Sequence, residues 1–148
     1  MKNIRIPQWL QRELKSLPLD EKFKDSLALA QYGPDIWFTD FEIARHSDNT
    51  EEGKDSIFVV LVNEGDYIFK RYKEDGEIEY SPMIVGDVIR HDGRIQHEVF
   101  SSGRLGRFAV MIWDVPVEKE TSELVLELKK EINTPQERNL VEVIFDAN

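Results

Sequence analysis

The sequence contains no cysteine. That absence excludes disulfides, thiolate zinc sites, iron–sulfur clusters and a cysteine nucleophile. No apolar run approaches the ~20 residues of a membrane span. Met1–Pro7 carries no secretory hydrophobic region, so the expectation is a cytoplasmic protein with no membrane partner. There is no internal repeat and no low-complexity tract. Positive charge is scarce: 19 Lys and Arg stand against 29 Asp and Glu, a net charge of −10. Such a field opposes a long nucleic-acid duplex or an anionic membrane surface, and favours a small-molecule or protein substrate over a nucleic acid. Histidine is scarcer still, with three in the chain, so each can be weighed in turn.

What is present suits one globular domain. The chain has 148 residues, 41% hydrophobic and 32% charged, long enough to bury a core. It divides into three blocks. Residues 7–33 read as helical: Leu10, Leu14 and Leu17 share a face, Pro18 breaks it, and Phe23, Leu27 and Gln31 continue it from a cap at Asp20 to Gly33-Pro34. Residues 36–115 read as strands: Ile36–His46, Ile57–Asn63, Tyr67–Tyr72, Ile78–Ile84, Asp87–Arg90, Ile95–Phe100 and Arg107–Val115, with turn signals such as Asp75-Gly76 and Asp92-Gly93 between them. Residues 120–148 return to helix through Leu124, Leu128 and Ile132. Thr134-Pro135-Gln136-Glu137 then reads as a capping box before Leu140 and Ile144. A mostly β chain with flanking helices argues for an antiparallel sandwich or barrel buttressed by the N- and C-terminal helices.

His46 ends the first strand, in Arg45-His46-Ser47-Asp48. The period of two puts the imidazole of His46 and the carboxylate of Asp48 on the same side. These are two of the three donors of a 2-His-1-carboxylate site, the site type of non-haem Fe(II) oxygenases. His97 is the candidate third donor, carried into the sheet after the Asp92-Gly93 turn; the alternative is a half-buried histidine bonded to a backbone carbonyl. His91 competes with it but sits beside the turn, where a solvated histidine is expected. Inward-pointing His46 would bring Ala44, Glu42, Asp40 and Phe38 inward, with Glu42 and Asp40 either lining the pocket or pairing with Arg90 or Arg71. Trp37, Thr39, Phe41, Ile43 and Arg45 would then face outward. Arg107 opens a strand with two apolar faces, Ala109-Met111-Trp113 and Phe108-Val110-Ile112-Asp114. A covered guanidinium needs an anionic partner, from an Asp or Glu or from a bound carboxylate. Arg104, in a Ser-Gly-Arg-Leu-Gly loop, is expected to face water.

The order His46-x-Asp48, Gly86-Asp87, His97, then Arg107 ten residues later resembles the 2-oxoglutarate/Fe(II)-dependent dioxygenase superfamily over about residues 36–115. The resemblance implies a double-stranded β-helix, a jelly-roll or cupin-like barrel with helices packed on one side. It implies that His46, Asp48 and His97 bind Fe(II) and that Arg107 binds the distal carboxylate of 2-oxoglutarate as co-substrate. The implied activity is hydroxylation or demethylation of a substrate. The sequence departs from the family in having Ala109 where Ser or Thr is usual. Tyr67 and Tyr80 are the candidates for a second co-substrate anchor. Two other classes also fit the barrel: a cupin-like metal or small-molecule-binding protein, and a non-catalytic interaction module.

Overall fold

The computed structural model describes residues 7–16 and 35–132. The elements are α1 (Gln8–Ser16), β1 (Asp35–Thr39), β2 (Ile43–His46), β3 (Lys54–Asn63), β4 (Tyr67–Tyr72), β5 (Ile78–Pro82), β6 (Val88–His91), β7 (His97–Ser101), β8 (Phe108–Pro116) and α2 (Thr121–Ile132). The helices read from residues 18–33 and 134–148 lie outside the described residues. None of the helices described is long and apolar enough to cross a membrane.

The eight strands form two antiparallel four-stranded sheets, ordered β1-β8-β3-β6 and β2-β7-β4-β5. Successive strands mostly alternate between the sheets, which closes the chain into a jelly-roll barrel of cupin-like form. β3 carries the run Ile57–Val62, buried on both faces. Phe58 and Val60 join Phe69, Val99, Phe108 and Val110 in the core between the sheets. Removing each such side chain from water is worth about 1.5–3 kcal/mol. Ile57, Val59 and Leu61, at 0% exposure, form the opposite face, so the first sheet is covered outside as well. α1 contributes to that cover: Trp9 meets Phe38 edge-on at 6.4 Å between ring centroids, and Leu10 is fully buried.

The single strand expected over Ile36–His46 is two strands in different sheets. β1 pairs with β8, whereas β2 pairs with β7. The corner between them is set by side chains: the Thr39 hydroxyl accepts from the Phe41 N–H at 3.0 Å, and a Glu42 carboxylate oxygen accepts from the Ser101 N–H at 2.8 Å. A serine or threonine hydroxyl bonding the backbone two residues on is a common turn device. β2 also carries a register irregularity between Ile43 and His46, and an extra residue rephases alternation. Trp37, Ile43 and His46 therefore line the interior together. The expected inward set of Phe38, Asp40, Glu42 and Ala44 does not hold. Arg90 and Arg71 find other acids, Asp55 at 2.8 Å and Glu79 at 2.6 Å.

Arg90 also ties the barrel to α2. Its guanidinium donates to Asp55, to the Thr121 hydroxyl at 3.1 Å and to the Pro116 carbonyl at 3.1 Å. A rigid fork with several donors suits such a junction, because three chain segments meet one planar group.

Candidate metal centre

His46 and His97 lie directly opposite each other in the β2–β7 ladder, which brings their rings to 4.5 Å between centroids. Each ring is oriented from behind. His46 Nδ1 lies 2.7 Å from the Ala44 carbonyl, and His97 Nδ1 lies 2.7 Å from the Ile95 carbonyl. A carbonyl oxygen can only accept, so both Nδ1 atoms carry the proton and both Nε2 atoms are free as lone-pair donors. This is the second-sphere arrangement that fixes metal-ligating histidines.

Asp48 supplies the third donor from the loop after β2. Its backbone N–H donates to the Gly93 carbonyl at 2.7 Å, docking the loop onto the β6–β7 turn. Gly93 is required there by space: a Cβ at this position would lie 2.2 Å from Thr50 Oγ1 and 3.4 Å from Asp48 Cβ. The two Asp48 carboxylate oxygens reach 3.3 Å from His46 Nε2 and 3.2 Å from His97 Nε2. One donor atom from each of the three residues lies within 4.8 Å of the other two. The site grades from a buried His97 to a half-exposed Asp48, so one side opens to solvent.

The donor set fits a divalent cation. With Nδ1 protonated in both rings, two imidazole lone pairs face two carboxylate lone pairs at hydrogen-bond distance. That contact is repulsive unless a proton or a metal ion stands between the groups. Nitrogen and oxygen donors of this kind suit iron, zinc or nickel.

The triad opens on a cavity of about 220 Å³ between the sheets. Its walls are largely apolar, with Phe58, Phe69, Met83, Val99, Phe108 and Val110 among them. Polar groups enter from the first sheet, where Ser56 lies opposite Asp114 on β8 and opposite His91 on β6. Cross-strand partners share a face, and all three line the cavity. His91 differs from the solvated histidine expected at a turn. β6 runs through it, and it is buried at 6% exposure between Phe58, Phe69 and His97. Burial, then the neighbouring His97, lowers its pKa to about 4. Asp114 is shifted the other way, raised from the ordinary carboxylate value by burial.

Arg107 requires a correction. Its guanidinium does not line the cavity. It is exposed, with Nε 3.8 Å from Glu64 and its central carbon 5.1 Å from the centroid of the Trp9 ring. The reason is the phase of β8: Phe108, Val110, Ile112 and Asp114 face the cavity, so Arg107 falls to the side carrying Ala109, Met111 and Trp113. Tyr67 and Tyr80 are no anchors either. The Tyr67 hydroxyl donates to the Gly106 carbonyl at 2.8 Å, and Tyr80 is 58% exposed beside Phe100 and Lys70. Arg104 faces water as expected, its backbone N–H donating to Asp66. Sequence reasoning missed Gly93, Ser56 and Asp114 as site residues. Ser56 and Asp114 left a signal, being the polar positions on otherwise apolar strand faces.

No family model matches the chain, and no curated protein matches it. Solved structures similar to it include Drosophila melanogaster CENP-C bound to CAL1, at 12% identity and a TM-score of 0.41 over 54% of this chain. The capsular polysaccharide assembling protein CapF from Staphylococcus aureus is similar at 13% identity and a TM-score of 0.39 over 53% of this chain. The matched region spans 59% of the CENP-C chain and 22% of the CapF chain. A nickel complex of the non-heme monooxygenase ThoJ is similar at 10% identity and a TM-score of 0.40, over 76% of this chain and 69% of that one.

Proposed function

We propose that the protein is a mononuclear non-haem metal enzyme of the oxygenase type, with Fe(II) held by His46, Asp48 and His97. The observation that carries this reading is the convergence of two Nε2 lone pairs on one carboxylate, each ring held by its own backbone carbonyl. His46, Asp48 and His97 would hold the ion, and Fe(II) bound there would activate dioxygen, which is the oxidant. The protein's own part is to orient the two imidazoles through the backbone carbonyls behind them and to aim the Asp48 carboxylate at both Nε2 atoms. The apolar walls of the cavity exclude water from the reacting groups.

Dependence on 2-oxoglutarate has weaker support. Among the described residues no Lys or Arg lines the cavity, so a distal carboxylate has no guanidinium fork to meet. The same observation favours a second reading, a cupin-like metal-dependent protein acting on a small molecule without a 2-oxo acid. Anaerobic titration with Fe(II) tests the metal centre, with one equivalent binding to the wild type and none to Asp48→Asn as the expected result. Oxygen uptake by the Fe(II)-loaded protein, with and without 2-oxoglutarate, and assay for succinate then separate the two readings. Absence of Fe(II) binding to the wild type contradicts both.

A further inference from the structure

The metal-centre reading leaves one wall of the cavity unused. On the first sheet, Ser56 is 4% exposed and His91 is 6% exposed, both lining the cavity. Among the described residues the Ser56 hydroxyl makes no hydrogen bond, and His91 Nδ1 is buried without a partner. Asp114 continues this row to the mouth, where its carboxylate has neither an ion pair nor a hydrogen bond within the described residues. Lys54, whose charge reaches Asp114, is held 3.0 Å from Glu51. A buried hydroxyl and a carboxylate exposed at the mouth thus face the same space, with no protein partner among the described residues.

We propose that the substrate is a small amine, its ammonium group held at the mouth by Asp114 and Ser56 while its apolar body fills the cavity toward the metal centre. Away from the metal centre an anionic ligand would meet the Asp114 carboxylate, with no Lys or Arg among the described lining residues to balance it. A neutral apolar ligand would cover the Asp114 carboxylate without replacing its water, which is costly. A second hard cation takes six to eight oxygen ligands or keeps several waters, more than one carboxylate and one hydroxyl provide. An ammonium donates to both groups and neutralises the carboxylate. The cavity, about 220 Å³, lies below the roughly 300–1,000 Å³ common for small-molecule sites, so the apolar body is about the size of one ring. The inference rests on the metal-centre reading only for the direction in which the substrate points.

The test is calorimetry on the full chain loaded with Zn(II), a redox-inert stand-in, using 2-phenylethylamine and its neutral isostere 2-phenylethanol. The amine is expected to bind wild type about tenfold or more tightly than the alcohol, the scale of one charge-assisted hydrogen bond. Asp114→Asn should bring the two within about twofold, and Ser56→Ala should weaken the amine several-fold. Retained 2-phenylethanol binding by both variants shows the cavity intact. Equal affinities in the wild type, tighter alcohol binding, no amine binding at millimolar concentration, or an unchanged preference in Asp114→Asn each overturns the proposal. The Zn(II) titration is read separately. If zinc binds and the probes are not discriminated, the metal centre stands and the amine assignment falls. If the amine is preferred and zinc does not bind, the amine assignment stands and the metal reading falls.

Discussion

Asp48 places its carboxylate oxygens 3.3 and 3.2 Å from the two Nε2 atoms. With neither a proton nor a metal ion between the groups, this contact is unfavourable. Asp48→Asn puts an amide N–H against a lone pair, so the apoprotein should be as stable as wild type or more so, by up to about 1 kcal/mol, while losing its response to metal. Wild type with metal at ~100 times the dissociation constant should gain about 2.7 kcal/mol. His97→Ala should lose most of that gain, and paired melting curves with and without Fe(II) check both variants. An equal metal-induced shift in His97→Ala would remove His97 from the ligand set. Arg107→Met should change stability by no more than about 0.5 kcal/mol, as for exposed ion pairs, and leave metal binding unchanged. The Arg107 error shows where sequence reading stops at this scale. Alternation divides a strand into two faces, but when both faces are apolar nothing in the pattern says which one looks inward. His46, Asp48 and His97 could be grouped because the chain has only three histidines and the order of these residues along it is informative.

At the scale of elements, the strands were legible where turn chemistry brackets them. β4, from Tyr67 to Tyr72, matches its reading at both ends, because Glu64-Gly65 and Asp75-Gly76 flank it. β1 and β2 read as one strand because no Gly, Pro or Asn marks the corner made by the Thr39 hydroxyl and Glu42, which no periodicity records. The Asp48 loop depends on another local fit, the absence of a side chain at Gly93. Gly93→Ala must displace Thr50 or the loop. It should weaken metal binding at least tenfold while the barrel's strand content by circular dichroism stays unchanged; unaltered affinity would show that the loop's docking does not position Asp48. Arg90 joins β6, β3 and the start of α2. Arg90→Met leaves Asp55, the Thr121 hydroxyl and the Pro116, Val117 and Lys119 carbonyls without that donor, at a cost of about 2–4 kcal/mol, taking the scale for a broken buried pair with some discount for partial exposure. Urea unfolding measures it, and a loss below about 0.5 kcal/mol would mean water replaces the guanidinium.

The whole molecule is a two-sheet barrel whose interior holds neutral imidazole beside apolar walls, and this makes its stability depend on pH. His91 stays neutral down to about pH 4 in the folded protein, whereas an unfolded histidine takes up its proton near pH 6.5. Between those values the unfolded chain binds more protons, so stability falls as pH drops from about 6.5 to about 4, by up to about 3 kcal/mol from this residue. In the metal-free protein His91→Leu should flatten that part of the stability profile; a variant profile parallel to wild type would show that His91 is not held neutral. The barrel class was legible from many short strands between helical blocks. The cavity was not, because it arises from the pairing order of strands distant in sequence, which brings Asp114, Ser56 and His91 into one row. The most direct test of the metal-centre claim is an anomalous difference map at the iron edge from crystals grown anaerobically with Fe(II). The account predicts one strong peak within ~2.0–2.2 Å of His46 Nε2, His97 Nε2 and an Asp48 carboxylate oxygen, by analogy with imidazole and carboxylate bond lengths. No peak at that point under saturating Fe(II), or a peak held by other residues, would contradict it.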